Sequence, residues 1–264
     1  MPEFQAAPRP RRRPRPALSV YPLEGIGEVA PGADVAGLLA MALRAGGLRL
    51  RRWDVLVVAQ KIVSKAERRL VYLDDVRPSP AAVELALMTG KDPRLVEVIL
   101  AESEAVVRAK PGVIITRHRL GFVMAQAGID RSNVAPGHVL LLPISPDASA
   151  SGLRAALQEL TGIAPGIIIS DSFGRPWRLG TTNVAIGAAG VPAVWDRRGE
   201  TDRHQRTLET TVIGWADAVA AAAGMAMGEV TEGIPAALVR GLRWSAPDQP
   251  ASAIVRPVPD DLFP

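Results

Sequence analysis

The run richest in chemistry is Ser170-Asp171-Ser172-Phe173-Gly174-Arg175-Pro176-Trp177-Arg178, which continues the apolar stretch GIIIS at 166–170. A short β-branched run of this kind reads as a buried strand. An Asp at the end of such a strand, with a hydroxyl beside it, is a recurrent way to hold Mg²⁺ on a phosphate. Arg175 and Arg178 are candidates for clamping an acidic substrate, since a guanidinium pairs with carboxylate or phosphate. Thr181-Thr182-Asn183 extends the polar surface.

A second group follows VLVVA at 55–59, another buried-strand run: Gln60-Lys61-Ile62-Val63-Ser64-Lys65. The carboxyl end of a strand is where open α/β sheets bind ligands. Two lysines and a serine there either hold phosphates or only solvate a strand end. In Ala127–Asn133, Asp130 and Asn133 offer oxygen ligands, or the run is a polar turn. Glu229, in MGEVTEGIP at 227–235, is a further oxygen ligand or part of a helix C-cap centred on Gly228.

One motif is a decoy. Gly25-Ile26-Gly27-Glu28-Val29-Ala30 matches a dinucleotide fingerprint, but Pro31-Gly32 interrupts the chain where a helix should open. It reads as a backbone turn, with or without a ligand against it. No phosphate-binding G-x-x-x-x-G-K-[ST] loop occurs.

Composition narrows the chemistry. Cysteine is absent, which removes disulfides, thiolate metal sites and thiol nucleophiles, and fits a cytoplasmic protein. The three histidines, His118, His138 and His204, are scattered and support neither a metal pair nor a triad. What remains is a set of carboxylates, Asp130, Asp171 and Glu229, among lysines and arginines. That set suits metal-assisted chemistry on phosphates or carboxylates, in which the protein mainly positions charge. Residues 1–16 hold five Arg against one Glu, which accounts for the whole formal net charge of +4. The basicity therefore belongs to a Pro-rich tail and not to the body, and with 4% aromatics the chain makes a poor nucleic-acid platform. A salt-sensitive nucleic-acid-binding arm is the alternative that the tail leaves open. No apolar run approaches the roughly 20 residues that span a bilayer.

The elements that must position these residues are strands at 55–59, 113–116, 139–142 and 166–170. Helices are expected at 34–47, 92–108, 147–162, 207–227 and 234–242, with Asp34, Asp92 and Asp147 as start signals. Strands interleaved with helices give an α/β or α+β class. We expect a tail at 1–17, one domain over 18–245 and a Pro-rich extension at 246–264.

Taken in order, the runs YPLEGIGEV, DVLVVAQKIVSKAE, TGKDPRLVEVILAES, HRLGFVMAQAGIDRSNV, LLPISPDASASGLR, IISDSFGRPWRLGTTNVAIG and MGEVTEGIPAALVRG cover roughly residues 20–242. They resemble the coenzyme F420-0:L-glutamate ligases, also called F420:gamma-glutamyl ligases. The resemblance implies a family-specific α/β fold of mixed sheets and helices, assembled as an intertwined homodimer. It implies GTP-dependent addition of one or more L-glutamates to the carboxylate of the deazaflavin precursor F420-0 through an acyl phosphate, with Mg²⁺ or Mn²⁺ required and K⁺ helping; a related metal- and nucleotide-dependent ligase with another acceptor or amino acid is the alternative. It places metal on Asp130, Asp171, Ser172 and Glu229. It places nucleotide on Ile26, Gly27, Glu28 and Val29, on Gln60, Lys61 and Lys65, on Asn133, and on Met227, Gly228, Glu229, Val230, Thr231, Glu232, Gly233 and Ile234. Asp130, Asp171 and Lys65 are the expected catalytic residues. Ser172 stands where Thr is common and keeps the hydroxyl, whereas Asp202–Arg206 is less typical. Some relatives carry a C-terminal flavin domain; neither that domain nor flavin binding is expected here.

Overall fold

The computed structural model describes residues 17–261. In chain order the elements are β1 (Ser19–Pro22), α1 (Val35–Ala45), β2 (Val55–Ala59), α2 (Gln60–Ala66), β3 (Leu70–Tyr72), α3 (Pro80–Thr89), α4 (Pro93–Ala101), β4 (Ser103–Lys110), β5 (Val113–His118) and β6 (Val123–Ala125). There follow β7 (His138–Leu140), α5 (Pro146–Thr161), β8 (Gly166–Arg175), β9 (Arg178–Ala189), β10 (Val194–Asp196), β11 (Val212–Gly214), α6 (Trp215–Met227) and β12 (Ala236–Arg240). The mixture of helices and strands is the expected α/β class.

The principal sheet has five strands in the order β1-β12-β2-β8-β9. β2 and β8 run parallel, with Ala59 opposite Ser170, and the other neighbours are antiparallel. VLVV in β2 and GIIIS in β8 are buried because both faces of this sheet are covered. Leu56, Val58, Ile167 and Ile169 face α1 and α5. Val55, Val57 and Ile168 face the opposite way, onto the Ala-rich side of α6. A second, smaller core gathers α3, α4, Ile114 of β5 and Val139 of β7.

Local signals set most helix ends. The Asp34 carboxylate accepts from the Gly37 N–H, and the Asp92 carboxylate accepts from the Arg94 N–H with Pro93 in the first turn. Asp147 does something else. Ser145 occupies the N-cap position of α5, and one Asp147 oxygen accepts the N–H groups of Ala188 and Ala251 at 2.8 and 2.7 Å. It thereby ties β9 to the stretch 246–261, where Ala251 is fully buried.

Several expected elements differ. The helix beginning at Asp92 stops at Ala101, and 103–110 pair with β5, with Val106 opposite Thr116 and an irregularity at Val107. Residues 207–214 are not helical; Val212–Gly214 pair with β10 before α6 opens at Trp215. The expected helix at 234–242 is the strand β12, lodged between β1 and β2. Ala-Ala-Leu-Val-Arg is buried through its first four residues, and a short apolar run has no period that separates strand from helix. The run 139–142 is extended in pairing only to Leu140. The Arg/Pro-rich stretch 1–16 lies outside the described residues. Among the described residues no helix is long and apolar enough to cross a membrane.

Candidate active site

The parallel pair β2 and β8 ends at one level, and both chains turn polar there. β2 passes directly into α2, whose first residues are Gln60 and Lys61, and β8 continues as Ser170, Asp171 and Ser172. The expected phosphate group and the expected metal group are thus neighbours because their strands are hydrogen-bonded neighbours. Beside them lies the loop from Met227 to Pro235, which connects α6 to β12, itself the antiparallel partner of β2. The glycine turn closes a third side. Gly25 and Gly27 take positive φ of 78° and 67°, which a side chain would resist.

These four segments enclose a cleft of about 340 Å³. Gly27, Glu28, Val29, Gln60, Lys61 and Lys65 line one side. Asn133, Asp171, Ser172 and all of Met227–Ile234, expected as well, line the rest. A second hollow of about 510 Å³, reaching to His138, shares Glu28, Val29, Lys65 and Asn133 with the first.

The charges are interleaved. Lys61 Nζ stands 2.7 Å from an Asp130 carboxylate oxygen and donates at 2.7 Å to the Ser132 hydroxyl. Ser132 in turn donates to Asp130 through both its N–H and its hydroxyl. Burial pushes the Asp130 carboxyl up, but Lys61 and Ser132 outweigh it and hold the group below its ordinary value. Asp171 has no salt-bridge partner among the described residues. Burial raises its carboxyl to about 7, the charges of Asp130 and Glu229 add to the rise, and the Ser172 N–H and Lys61 oppose it. Ser172 donates its hydroxyl to Glu229 at 2.6 Å. Lys65, nearly buried, pairs at 2.5 Å with Glu28, whose side chain is largely exposed.

This donor set fits a hard divalent cation chemically. It offers carboxylate and hydroxyl oxygens, and Asp171, Asp130 and Glu229 carry a mutual repulsion that a cation would relieve. The described residues do not hold three carboxylates already closed around one point. Asp130 is engaged by Lys61, and Glu229 by Ser172.

Four expected residues fall elsewhere. Ile26 turns its side chain into the main core and leaves the cleft to its neighbours. Asp130 stands behind Lys61 and not on the cleft wall. Arg175 and Arg178 pair across the tip of the β8–β9 hairpin, both exposed. Arg175 lies four residues beyond Asp171 on an extended strand, about 13 Å by strand rise. Conversely, Ser170 and Asn183 line the cleft without having been expected to touch a ligand. Asn183 sits opposite Ser172 in the β8–β9 register, a relation that needs the pairing to be known. Ser170 carried a visible signal, as the polar residue closing the GIIIS run.

Comparison with known proteins places the same segments in one group. The profile of the family described as F420-0:Gamma-glutamyl ligase matches residues 25–241. The chain is 47% identical over 253 residues to the coenzyme F420:L-glutamate ligase of Methanopyrus kandleri, covering 94% of this chain and 98% of that one. It is 45% identical over 248 residues to the protein of that name from Methanothermobacter thermautotrophicus, covering 93% and 98%. Against the one from Methanocaldococcus jannaschii the figures are 42% over 210 residues, 80% and 84%.

Proposed function

The chain belongs to the F420-0:gamma-glutamyl ligase family, and from that premise we propose that it is a coenzyme F420:L-glutamate ligase of F420 biosynthesis, driven by GTP. The observation that carries the reading is the single cleft in which Lys61, Lys65 and Gln60 face Asp171, Ser172 and the 227–234 loop. A site that joins a carboxylate to an amine by way of phosphate needs both sets of charge.

An amide cannot form from a carboxylate by expelling oxide, so the carboxylate must first gain a better leaving group. An oxygen of the F420-0 carboxylate attacks the γ-phosphorus of GTP, and the bond to the GDP oxygen breaks. The amine of L-glutamate then attacks the acyl carbon. The C–N bond forms, phosphate leaves with the C–O electron pair, and the amine proton passes to solvent. Phosphoryl transfer mainly asks for alignment and charge neutralisation. Lys65 and Lys61 serve the phosphate oxygens, and the 227–234 loop and the Gly27–Val29 turn hold the nucleotide. Asp171, Ser172 and Glu229, with Asp130 behind them, would hold Mg²⁺ or Mn²⁺, which when bound supplies further neutralisation of phosphate charge. K⁺ assistance and a homodimer belong to the same reading. Leu87, Met88 and Leu179 offer exposed apolar surface to a second copy.

The test is an end-point mass measurement on purified protein with F420-0, L-glutamate, GTP and Mg²⁺, alongside ATP and metal-free controls. A product heavier by one or more glutamyl units, with GDP released, is expected. Folded protein that yields no product with any nucleotide or metal overturns the reading.

A further inference from the structure

At the floor of the cleft two buried polar atoms have no partner among the described residues, the Ser170 hydroxyl oxygen and the Gln60 amide nitrogen. Both residues are 1% exposed and both line the cleft. They are adjacent by construction. Ser170 is the register partner of Ala59 in the parallel pair, and Gln60 follows Ala59. The Gln60 amide is not free to turn away, because its oxygen accepts the fully buried Ser64 hydroxyl at 2.8 Å. The Ser170 hydroxyl closes the fully buried first half of β8, whose preceding residues are Gly166 and three isoleucines. A buried donor left unpaired forfeits its full solvation, and native proteins keep few such groups. Two on neighbouring strand ends, lining one cavity that also carries Lys61 and Lys65, are placed to donate to an incoming oxygen that bears negative charge.

We propose that Ser170 is a ligand-binding residue of this site, whose hydroxyl donates, jointly with the Gln60 amide, to one anionic oxygen of a substrate. The inference rests on the ligase reading for the identity of that substrate. The oxygen belongs either to the phosphate chain of the nucleotide or to the carboxylate of the acceptor, and the shared chemistry is an oxyanion seated between a hydroxyl and an amide N–H.

The experiment is a comparison of wild type with Ser170→Ala, Gln60→Met and the double variant. Calorimetric Kd values are measured for GTP, tripolyphosphate and F420-0, with melting temperatures of the free proteins. A hydroxyl that holds the fold together lowers the melting temperature when removed. A hydroxyl kept unpaired for a ligand does not, so free Ser170→Ala should melt at or above wild type while losing about ten-fold or more in affinity for one ligand. Loss toward GTP and tripolyphosphate assigns the oxygen to phosphate, and loss toward F420-0 alone assigns it to the carboxylate. The double variant should lose less than the product of the single losses, because both donors serve one oxygen. Unchanged affinities in Ser170→Ala, beside a wild type that binds GTP and makes product, overturn the inference and leave the ligase reading standing. A wild type that binds none of the three ligands overturns both.

Discussion

Gly224 and Asn183 occupy each other's space. A Cβ on Gly224 of α6 would stand 1.6 Å from Asn183 Oδ1 and 2.5 Å from its Cγ. The missing side chain on the helix is therefore what lets the Asn183 amide lie where it lines the cleft, opposite Ser172 on the neighbouring strand. Gly224→Ala should push Asn183 off its position and lower kcat/KM by about ten- to a hundred-fold, the range that a displacement of about 1 Å commands. Stability should move little, since Ala gains about 1 kcal/mol over Gly inside a helix against the strain introduced. Kinetics and melting curves on one preparation decide it. A large fall in melting temperature with normal kinetics would count against a role in the site.

Asp171 has no salt-bridge partner among the described residues, and burial and its acidic neighbours hold its carboxyl near 7. The proposed metal and phosphate chemistry would concentrate there. Asp171→Asn keeps the shape and removes the charge. Turnover should fall by about 10²–10³-fold or more, with the metal concentration needed for half-maximal rate displaced upward. Near-normal turnover in the variant at ordinary Mg²⁺ concentration would remove Asp171 from the metal set.

How far the sequence could be read depended on whether a feature is local. β2 and β8 were legible because VLVVA and GIIIS are β-branched runs closed by polar residues, and both ends line one cleft. That these two runs lie side by side is a fact of pairing, which no local pattern carries. β12 was missed for the same reason: AALVR has neither alternation nor helical period, and its place between β1 and β2 makes it a strand. Arg175 and Arg178 stand near Asp171 in sequence but at the hairpin tip in space, because a strand carries its residues away at about 3.3 Å per residue. Asn183 and Gly224 lie 41 positions apart and meet only through the packing of α6 on β9.

The smaller core is tied to the rest through Glu102. Its carboxylate meets Arg69 at 2.8 Å and Arg119 at 3.3 Å, and the ring of fully buried His118 stands 3.5 Å away. Burial raises the Glu102 carboxyl, but the His118 ring and the two arginines overcome it and bring it down to about 2. A carboxyl depressed on folding contributes stability that is complete above its unfolded value of about 4.3 and is lost as pH falls through about 2. Glu102→Gln should therefore be less stable than wild type at neutral pH, with the gap closing between about pH 4 and pH 2. Urea unfolding at stepped pH measures that gap, and a constant difference across the window would contradict the assignment.

Asp54 and Arg240 clamp the start of β2 to the end of β12. Arg240 donates to both Asp54 oxygens at 2.9 and 2.6 Å, and one of those oxygens also accepts the Arg51 N–H at 2.8 Å. Asp54 is 1% exposed, so Asp54→Ala leaves a largely buried guanidinium facing no charge. Such a loss costs about 3 kcal/mol. Replacement of both partners by apolar residues of similar size should cost less than Asp54→Ala alone, because no charge is then left behind. Equilibrium unfolding of the single and double variants separates these outcomes.

The Lys65–Glu28 pair sets a competition inside the part of the cleft proposed to hold the nucleotide. Lys65 is nearly buried and its ammonium is held at 2.5 Å by a carboxylate that is itself 80% exposed. An arriving phosphate must take Lys65 from Glu28, and it gains a charge-assisted contact in exchange for one already made. Removing the lysine and removing its competitor should thus act in opposite directions. Lys65→Met should weaken GTP binding by about ten-fold or more, the worth of one hydrogen bond to a charged group. Glu28→Gln, which leaves the Gly27–Val29 backbone in place, should tighten GTP binding by a few-fold and make it less sensitive to salt. Parallel titrations of GTP at two ionic strengths test both variants, and weaker binding in Glu28→Gln would mean that this carboxylate positions Lys65 for the nucleotide and does not compete with it.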